Sequence, residues 1–145
     1  MTFTASRSRA TKLTANNCAL AENDLRINFC PPLPNAEMVR TLRQYHALVA
    51  PSQVLETGPL VVLEAFAAGI PVIGSNLGGI AELVTTGVDG LLVDPASVSA
   101  WQAMFQQLLA APHLLTALRA NVRPPRRMTD VAQEMTTLYA PLAGR

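Results

Sequence analysis

Residues 56–64 read Glu56-Thr57-Gly58-Pro59-Leu60-Val61-Val62-Leu63-Glu64. Two carboxylates bracket a spacer that opens with Gly58-Pro59 and then turns wholly apolar. Pro59 suits the first position of a helix, where a missing N–H costs nothing. Thr57 is placed to cap that helix by accepting from an early backbone N–H. From 60 to 68 the residues are apolar on every side except at Glu64, which predicts a buried helix. Glu56 then lies in the loop before the helix, at its positive end. Glu64 lies inside it, about 7–8 Å along the axis at about 1.5 Å per residue. An anion such as a diphosphate can rest on the free N–H groups of such a helix start. Glu56 would face whatever hangs from one end of that anion, and Glu64 whatever hangs from the other. A lone carboxylate on an otherwise apolar helix is costly unless something pairs with it.

The surrounding run, 51–93, is PSQVLETGPLVVLEAFAAGIPVIGSNLGGIAELVTTGVDGLLV. It resembles the C-terminal domain of retaining glycosyltransferases of family four, which share the two-domain GT-B architecture. The matching motifs are the Pro51-Ser52 pair, the Glu56/Glu64 pair, the EA-AAG-PVI segment, the Gly78-Gly79-x-x-Glu82 loop and the DGLLV strand. Each is weak alone; together, in order, they are specific. A weaker match runs from about Asp24 to the C-terminus. The resemblance implies an α/β fold, a Rossmann-like doubly wound parallel sheet. It divides the chain into an N-terminal segment, 1–24, and a partial donor-nucleotide-binding domain, 25–145.

The resemblance also assigns roles. Glu56 matches the first acidic residue of the family pair, which meets hydroxyls of the donor sugar beside the reacting carbon, and is the catalytic candidate. Glu64 matches the second, which holds the ribose hydroxyls. A carboxylate accepts two hydroxyl protons well, so both roles suit the chemistry. Thr57, Gly58, Pro59 and Leu60 match the segment that receives the sugar and the distal phosphate. Gly58 permits close approach because it has no side chain. Phe29 and Cys30 match the strand end whose backbone meets the nucleobase, although the family usually has Gly where Cys30 stands. No metal and no cofactor is implied beyond the nucleotide-sugar donor. The acceptor, a glycan, a lipid or a small molecule, is not named by these residues.

Composition narrows the function classes. The chain has 145 residues, half of them apolar, and a formal net charge of +1. That length predicts one domain with a real core. No basic stripe points to nucleic acid. Cys18 and Cys30 have no metal-ligand spacing, which favours a reduced, cytoplasmic protein over a disulfide scaffold. Arg7, Arg9 and Lys12 are followed by no apolar run, so no signal peptide is expected. No stretch has the length and hydropathy of a membrane span. Peripheral membrane association is compatible with the resemblance, because many family members use lipid-linked acceptors.

Taken in order, residues 1–9 read as polar and poorly ordered. Residues 10–21 are a helix candidate, and 25–29 (LRINF) a strand ended by Pro31-Pro32. Asn35 is placed to cap a helix over 36–44, with Met38, Val39 and Leu42 inward. Strands follow at 46–50, 71–74 and 91–93, with helices at 60–68 and 80–84 between them and Gly69 as a stop. Ser97 is placed to cap a helix to residue 110 with a stripe of Val98, Trp101, Phe105, Leu108 and Leu109. Helices at 114–121 and 129–142 complete the chain. Strands alternating with helices predict a parallel sheet whose ligands sit at the carboxyl ends of the strands. Gly78 and Gly79 read as a tight turn, with Glu82 bonding nearby backbone. His46 reads as a strand residue and His113 as a surface residue; neither belongs to a triad.

Departures from the family pattern set the second reading. Family members carry a diphosphate-binding Arg and Lys well before the nucleobase strand. Only 28 residues precede Phe29, too few for the βα units that would hold them. The N-terminal acceptor domain is also unmatched. The first reading is therefore the donor half-site of a glycosyltransferase, inactive alone. The alternative is a non-catalytic nucleotide-sugar-binding or partner-subunit module. A receiver-like regulator is disfavoured, since it needs an acidic cluster at the first strand ends, where Asp24 stands alone. Two surfaces are expected to serve self-association or docking of the missing N-terminal domain: the edge of the strand at 25–29, and the apolar face of the last helix, Val131, Met135, Leu138, Tyr139 and Leu142.

Overall fold

The computed structural model describes residues 3–6, 24–30 and 32–143. The helix expected at 10–21, with Cys18, lies outside the described residues, as do Arg7, Arg9 and Lys12. The chain divides into two compact units, 1–38 and 39–145, where length alone suggested one domain.

In the first unit, β1 (Phe3–Ser6) and β2 (Ile27–Cys30) pair in parallel, with Phe3 opposite Ile27 and Ser6 opposite Cys30. A strand thus stands inside the segment that composition alone read as irregular, and it covers one edge of β2. Polar Thr and Ser do not bar a strand once a neighbour supplies the ladder. β2 also starts and ends later than the expected 25–29. Leu25 is 97% exposed in a turn. The Ile27 N–H donates to the Asp24 carbonyl, and the Arg26 N–H donates to Asp24 Oδ1. The Arg26 guanidinium, 2.6 Å from Asp24 Oδ2, lowers the Asp24 carboxyl to about 2.

Helix α1 (Asn35–Leu42) buries Leu42. The second unit then builds one sheet from β3 (Leu48–Ala50), β4 (Val72–Ser75) and β5 (Gly90–Val93), all parallel, with β4 in the centre. Register places Leu48, Val72 and Gly90 side by side, and Val49, Ile73 and Leu91 in the next row. β3 is shorter than the expected 46–50. His46 is exposed in the turn before it rather than in the strand. Every residue of β4 is buried, as a central parallel strand covered on both faces requires.

Helix α2 (Leu60–Ala68) joins β3 to β4, and α3 (Gly78–Leu83) joins β4 to β5. Both crossovers step the same way across the sheet, so right-handed connections put both helices on one face. Alternation along β4 separates the layers. Gly74 faces α3, where a Cβ would stand 2.4 Å from Ile80 Cγ2. Ile73 faces away, into a cluster with Val93, Met104 and Leu108, on which Trp101, Phe105, Leu114 and Leu115 also pack. That opposite layer is α4 (Val98–Ala110) and α5 (His113–Asn121). Full burial of each such side chain contributes about 1.5–3 kcal/mol.

Local signals account for most boundaries. Gly69 adopts φ 73° and ends α2, its N–H reaching the Ala65 and Phe66 carbonyls, as a left-handed C-terminal glycine does. Ser97 caps α4 by accepting from the Ala100 N–H at 3.2 Å. The α4 stripe is narrower than its periodicity suggested. Val98 and Leu109 are 83% and 59% exposed, because only Met104, Leu108 and their neighbours reach the sheet. α6 (Met128–Ala143) follows the Pro124-Pro125 break, with Pro141 inside its last turn. Its face leaves Met135, Leu138 and Tyr139 exposed at 43%, 61% and 58%. No helix of the described residues is long and apolar enough to cross a membrane.

Two outcomes are expected. Ser75 Oγ is fully buried with no hydrogen-bond partner among the described residues. An orphaned buried hydroxyl is destabilising, so Ser75→Ala should raise stability by about 1 kcal/mol; urea unfolding of the two chains checks this. The depressed Asp24 pKa means that its pairing is fully formed above the ordinary value near 3.8 and is lost as pH falls through about 2. A carboxyl-carbon NMR titration of Asp24 should show its midpoint there.

Candidate functional site at the carboxyl ends of the sheet

The loop after β3, residues 51–59, carries Glu56, and the loop after β4 leads into α3. One backbone bond joins them: the Gly79 N–H donates to the Glu56 carbonyl at 2.6 Å. The fit is tight. A Cβ on Gly79 would meet that oxygen and Pro59 Cδ at 2.8 Å each, and a Cβ on Gly78 would meet the oxygen at 2.9 Å. Gly78 also has φ 51°, which a residue with a side chain rarely adopts. The glycine pair therefore opens α3 and seats the Glu56 loop, where the sequence suggested only a turn. Glu82 is exposed and bonds no backbone among the described residues, so its expected role falls away.

The Glu56 side chain is half-buried. Ser52 Oγ donates to Glu56 Oε1 at 2.7 Å and stands 3.4 Å from the Val54 N–H. The second carboxylate oxygen has no bond among the described residues. Ser52 was legible only as part of a Pro-Ser pair. A hydroxyl four residues before a loop carboxylate was the available signal.

Around the start of α2 the expectations are partly corrected. Pro59 is the N-cap rather than the first helical residue, and no side chain caps the helix. Thr57 is exposed and caps nothing; with Pro59 buried at the boundary, the chain bends before Thr57 can reach an N–H. The first N–H groups of a helix have no partner within it; the Val62 N–H reaches the Pro59 carbonyl at 3.1 Å. Nothing lies within 4 Å of a Cβ built on Gly58, so that backbone is open. Leu60 is 70% exposed, as are Val54 at 70% and Leu55 at 68%. The helix buries Val62, Ala65, Phe66 and Ala68, so its first turn directs Val62 into the core and leaves Leu60 facing solvent beside the Glu56 loop.

Glu64 is half-buried and makes no hydrogen bond or ion pair among the described residues. A partly desolvated carboxylate gains from a hydrogen-bond donor, and none of the described residues supplies one. Phe29 and Cys30 end β2 in the first unit, so they are placed on a strand end as expected. His46 and His113 are both exposed. Among the described residues no group of three or more His, Cys, Asp or Glu could hold a metal ion. Two surface hollows, one along α6 and one between Asp89 and Arg123, are lined by neither Glu56 nor Glu64.

A parallel sheet covered by helices, with a carboxylate-bearing loop at its carboxyl edge, is a Rossmann-like α/β arrangement, and its solved neighbours are GT-B glycosyltransferases. The chain belongs to the family of glycosyl transferases group 1, which matches residues 11–124. It is 36% identical over 111 residues to the D-inositol 3-phosphate glycosyltransferase of Rhodococcus jostii, covering 77% of this chain and 24% of that protein. The chain thus spans about a quarter of the length of the curated relatives it matches. Among solved structures it is similar to a sucrose-phosphate synthase from Thermosynechococcus elongatus, with a TM-score of 0.73, 26% identity, and coverage of 97% of this chain and 38% of that one. It shares the fold of Anabaena Alr3699/HepE, solved with UDP and glucose, with a TM-score of 0.72, 19% identity, and coverage of 86% and 35%.

Gly79→Ala should push the Glu56 loop off its seat. Overpacking against backbone costs about 1–3 kcal/mol. A fall in the urea midpoint, with amide shifts confined to residues 55–59 and 78–80, is the expected result.

Proposed function

We propose that this chain is the donor-binding part of a retaining glycosyltransferase, one that moves a sugar from a nucleotide-sugar to an acceptor, with residues 25–145 forming the donor-nucleotide domain. The observation that carries the reading is the acidic pair: Glu56 held by its loop before α2, and Glu64 half-buried in α2 without a partner. In this reading the segment from Thr57 through Gly58 and Pro59 to Leu60, with open space at Gly58, receives the distal phosphate and the sugar. Glu56 accepts from sugar hydroxyls beside the reacting carbon. Glu64 accepts from the ribose, which supplies the partner its carboxylate lacks. Phe29 and Cys30 meet the nucleobase through backbone. No cofactor is needed beyond the donor itself.

UDP and UDP-glucose are the first ligands to try, because Anabaena HepE was solved with both; GDP- and ADP-sugars complete the panel. The acceptor is a glycan, a lipid or a small molecule, and the name of the Rhodococcus relative puts a phosphorylated polyol among those to test. The exposed face of α6 would serve docking of an N-terminal domain or self-association. Sedimentation of the chain and of Leu138→Asp over a wide concentration range tests that face.

Glu64→Gln should weaken nucleoside diphosphate binding by one to two decades, the worth of a charge-assisted bond of about 1.5–3 kcal/mol, with the circular dichroism spectrum unchanged. Unchanged affinity would remove the ribose role. Glu56→Gln should leave the bare diphosphate within about twofold and weaken only the sugar nucleotide. The 145-residue polypeptide itself should transfer no sugar, since residues 51–60 and 75–80 contain no Arg or Lys to neutralise a leaving diphosphate. Turnover by this chain alone on any donor and acceptor of the panel would defeat that expectation.

A further inference from the structure

We propose that Ser52 is a positioning residue that orients the Glu56 carboxylate and so sets the preference for a sugar nucleotide over a bare nucleoside diphosphate. The inference rests on the donor-site reading of Glu56 and adds to it a residue that reading does not use.

The geometry is a two-point clamp. The backbone of Glu56 is fixed by the Gly79 N–H at 2.6 Å. That bond alone leaves the side-chain torsions of Glu56 free to turn. Ser52 Oγ closes the second point at 2.7 Å from Oε1. The hydroxyl has one proton and two competing acceptors. The Val54 carbonyl lies farther away, at 3.2 Å. The shorter contact, to a charged oxygen, takes the proton, because charge-assisted hydrogen bonds are the stronger class. The Val54 N–H, at 3.4 Å, approaches the lone pairs of the same hydroxyl. The donor therefore sits in a local turn of its own loop.

Such a clamp has a chemical consequence. With Oε1 engaged, Oε2 keeps its lone pairs in a defined direction for an incoming hydroxyl. A carboxylate fixed before the ligand arrives loses less side-chain entropy on binding. A sugar hydroxyl gains from that order. A diphosphate that carries no sugar has nothing at this position, so Ser52 should not alter its affinity. A residue that merely stabilised the loop would weaken both ligands together, because the same loop leads into the start of α2.

The test uses the full chain and three ligand pairs: UDP with UDP-glucose, GDP with GDP-mannose, and ADP with ADP-glucose, each measured by calorimetric titration. For the pair that binds most tightly, Ser52→Ala should lower the ratio of sugar-nucleotide to diphosphate affinity about tenfold, with the diphosphate itself within about twofold. Ser52→Thr, which keeps the hydroxyl, should restore the ratio. Ser52→Ala weakening both ligands equally, or leaving the ratio unchanged while Glu56→Gln lowers it, would overturn the positioning role and leave the donor site standing. A ratio insensitive to Glu56→Gln, or binding of none of the six ligands, would overturn the donor-site reading and this inference with it. Thermal unfolding of each variant excludes loss of fold as the cause.

Discussion

The candidate site depends on a close approach of two backbones at the carboxyl edge of the sheet. The Gly79 N–H and the Glu56 carbonyl meet at 2.6 Å, which is possible only because neither Gly78 nor Gly79 places a Cβ there. Through this bond the loop after β3 and the helix after β4 become one rigid corner. Glu56 belongs to a long irregular loop, which would otherwise be mobile and variable. Its position is instead set by the central strand, since α3 begins three residues after the end of β4.

That rigidity is inherited from the core. β4 is buried along its whole length and is covered on both sides, by α2 and α3 on one face and by α4 and α5 on the other. A three-stranded parallel sheet is small, and its strands are three or four residues long. It holds because the apolar rows of Val72 and Ile73 point into opposite layers that are each filled. The N-terminal unit is a separate parallel pair, β1 and β2. The two carboxylates both lie in the second unit.

Glu56 and Glu64 differ in how the fold treats them. Glu56 is bonded through both its carbonyl and one side-chain oxygen. Glu64 has neither kind of partner through its side chain among the described residues, although it is half-buried. A bonded carboxylate is oriented; an unbonded one in a partly apolar setting is a standing cost that a ligand hydroxyl can relieve. The asymmetry fits a site in which one end of the ligand is met by a fixed acceptor and the other end supplies the missing hydrogen bonds.

The sequence by itself determined the parallel α/β class, the order of elements in the second unit, the span of α2 and the caps at Gly69 and Ser97. These are set by local chemistry: apolar period, backbone freedom and a hydroxyl within reach of an N–H. It also singled out Glu56 and Glu64, because charge in an apolar run is visible without a structure. Tertiary structure decided the rest. β1 exists because β2 offers it a ladder, which no property of Phe3–Ser6 announces. Thr57 fails as a cap and Val98 and Leu109 stay in water because the bend of the chain and the width of the sheet, not periodicity, decide which groups meet. Gly78 and Gly79 read as a turn until the Glu56 loop is laid across them, and Ser52 acquires a partner only when its loop folds back on itself. Contacts between segments depend on where the intervening chain returns, and that path is fixed by packing of the whole unit rather than by either segment alone.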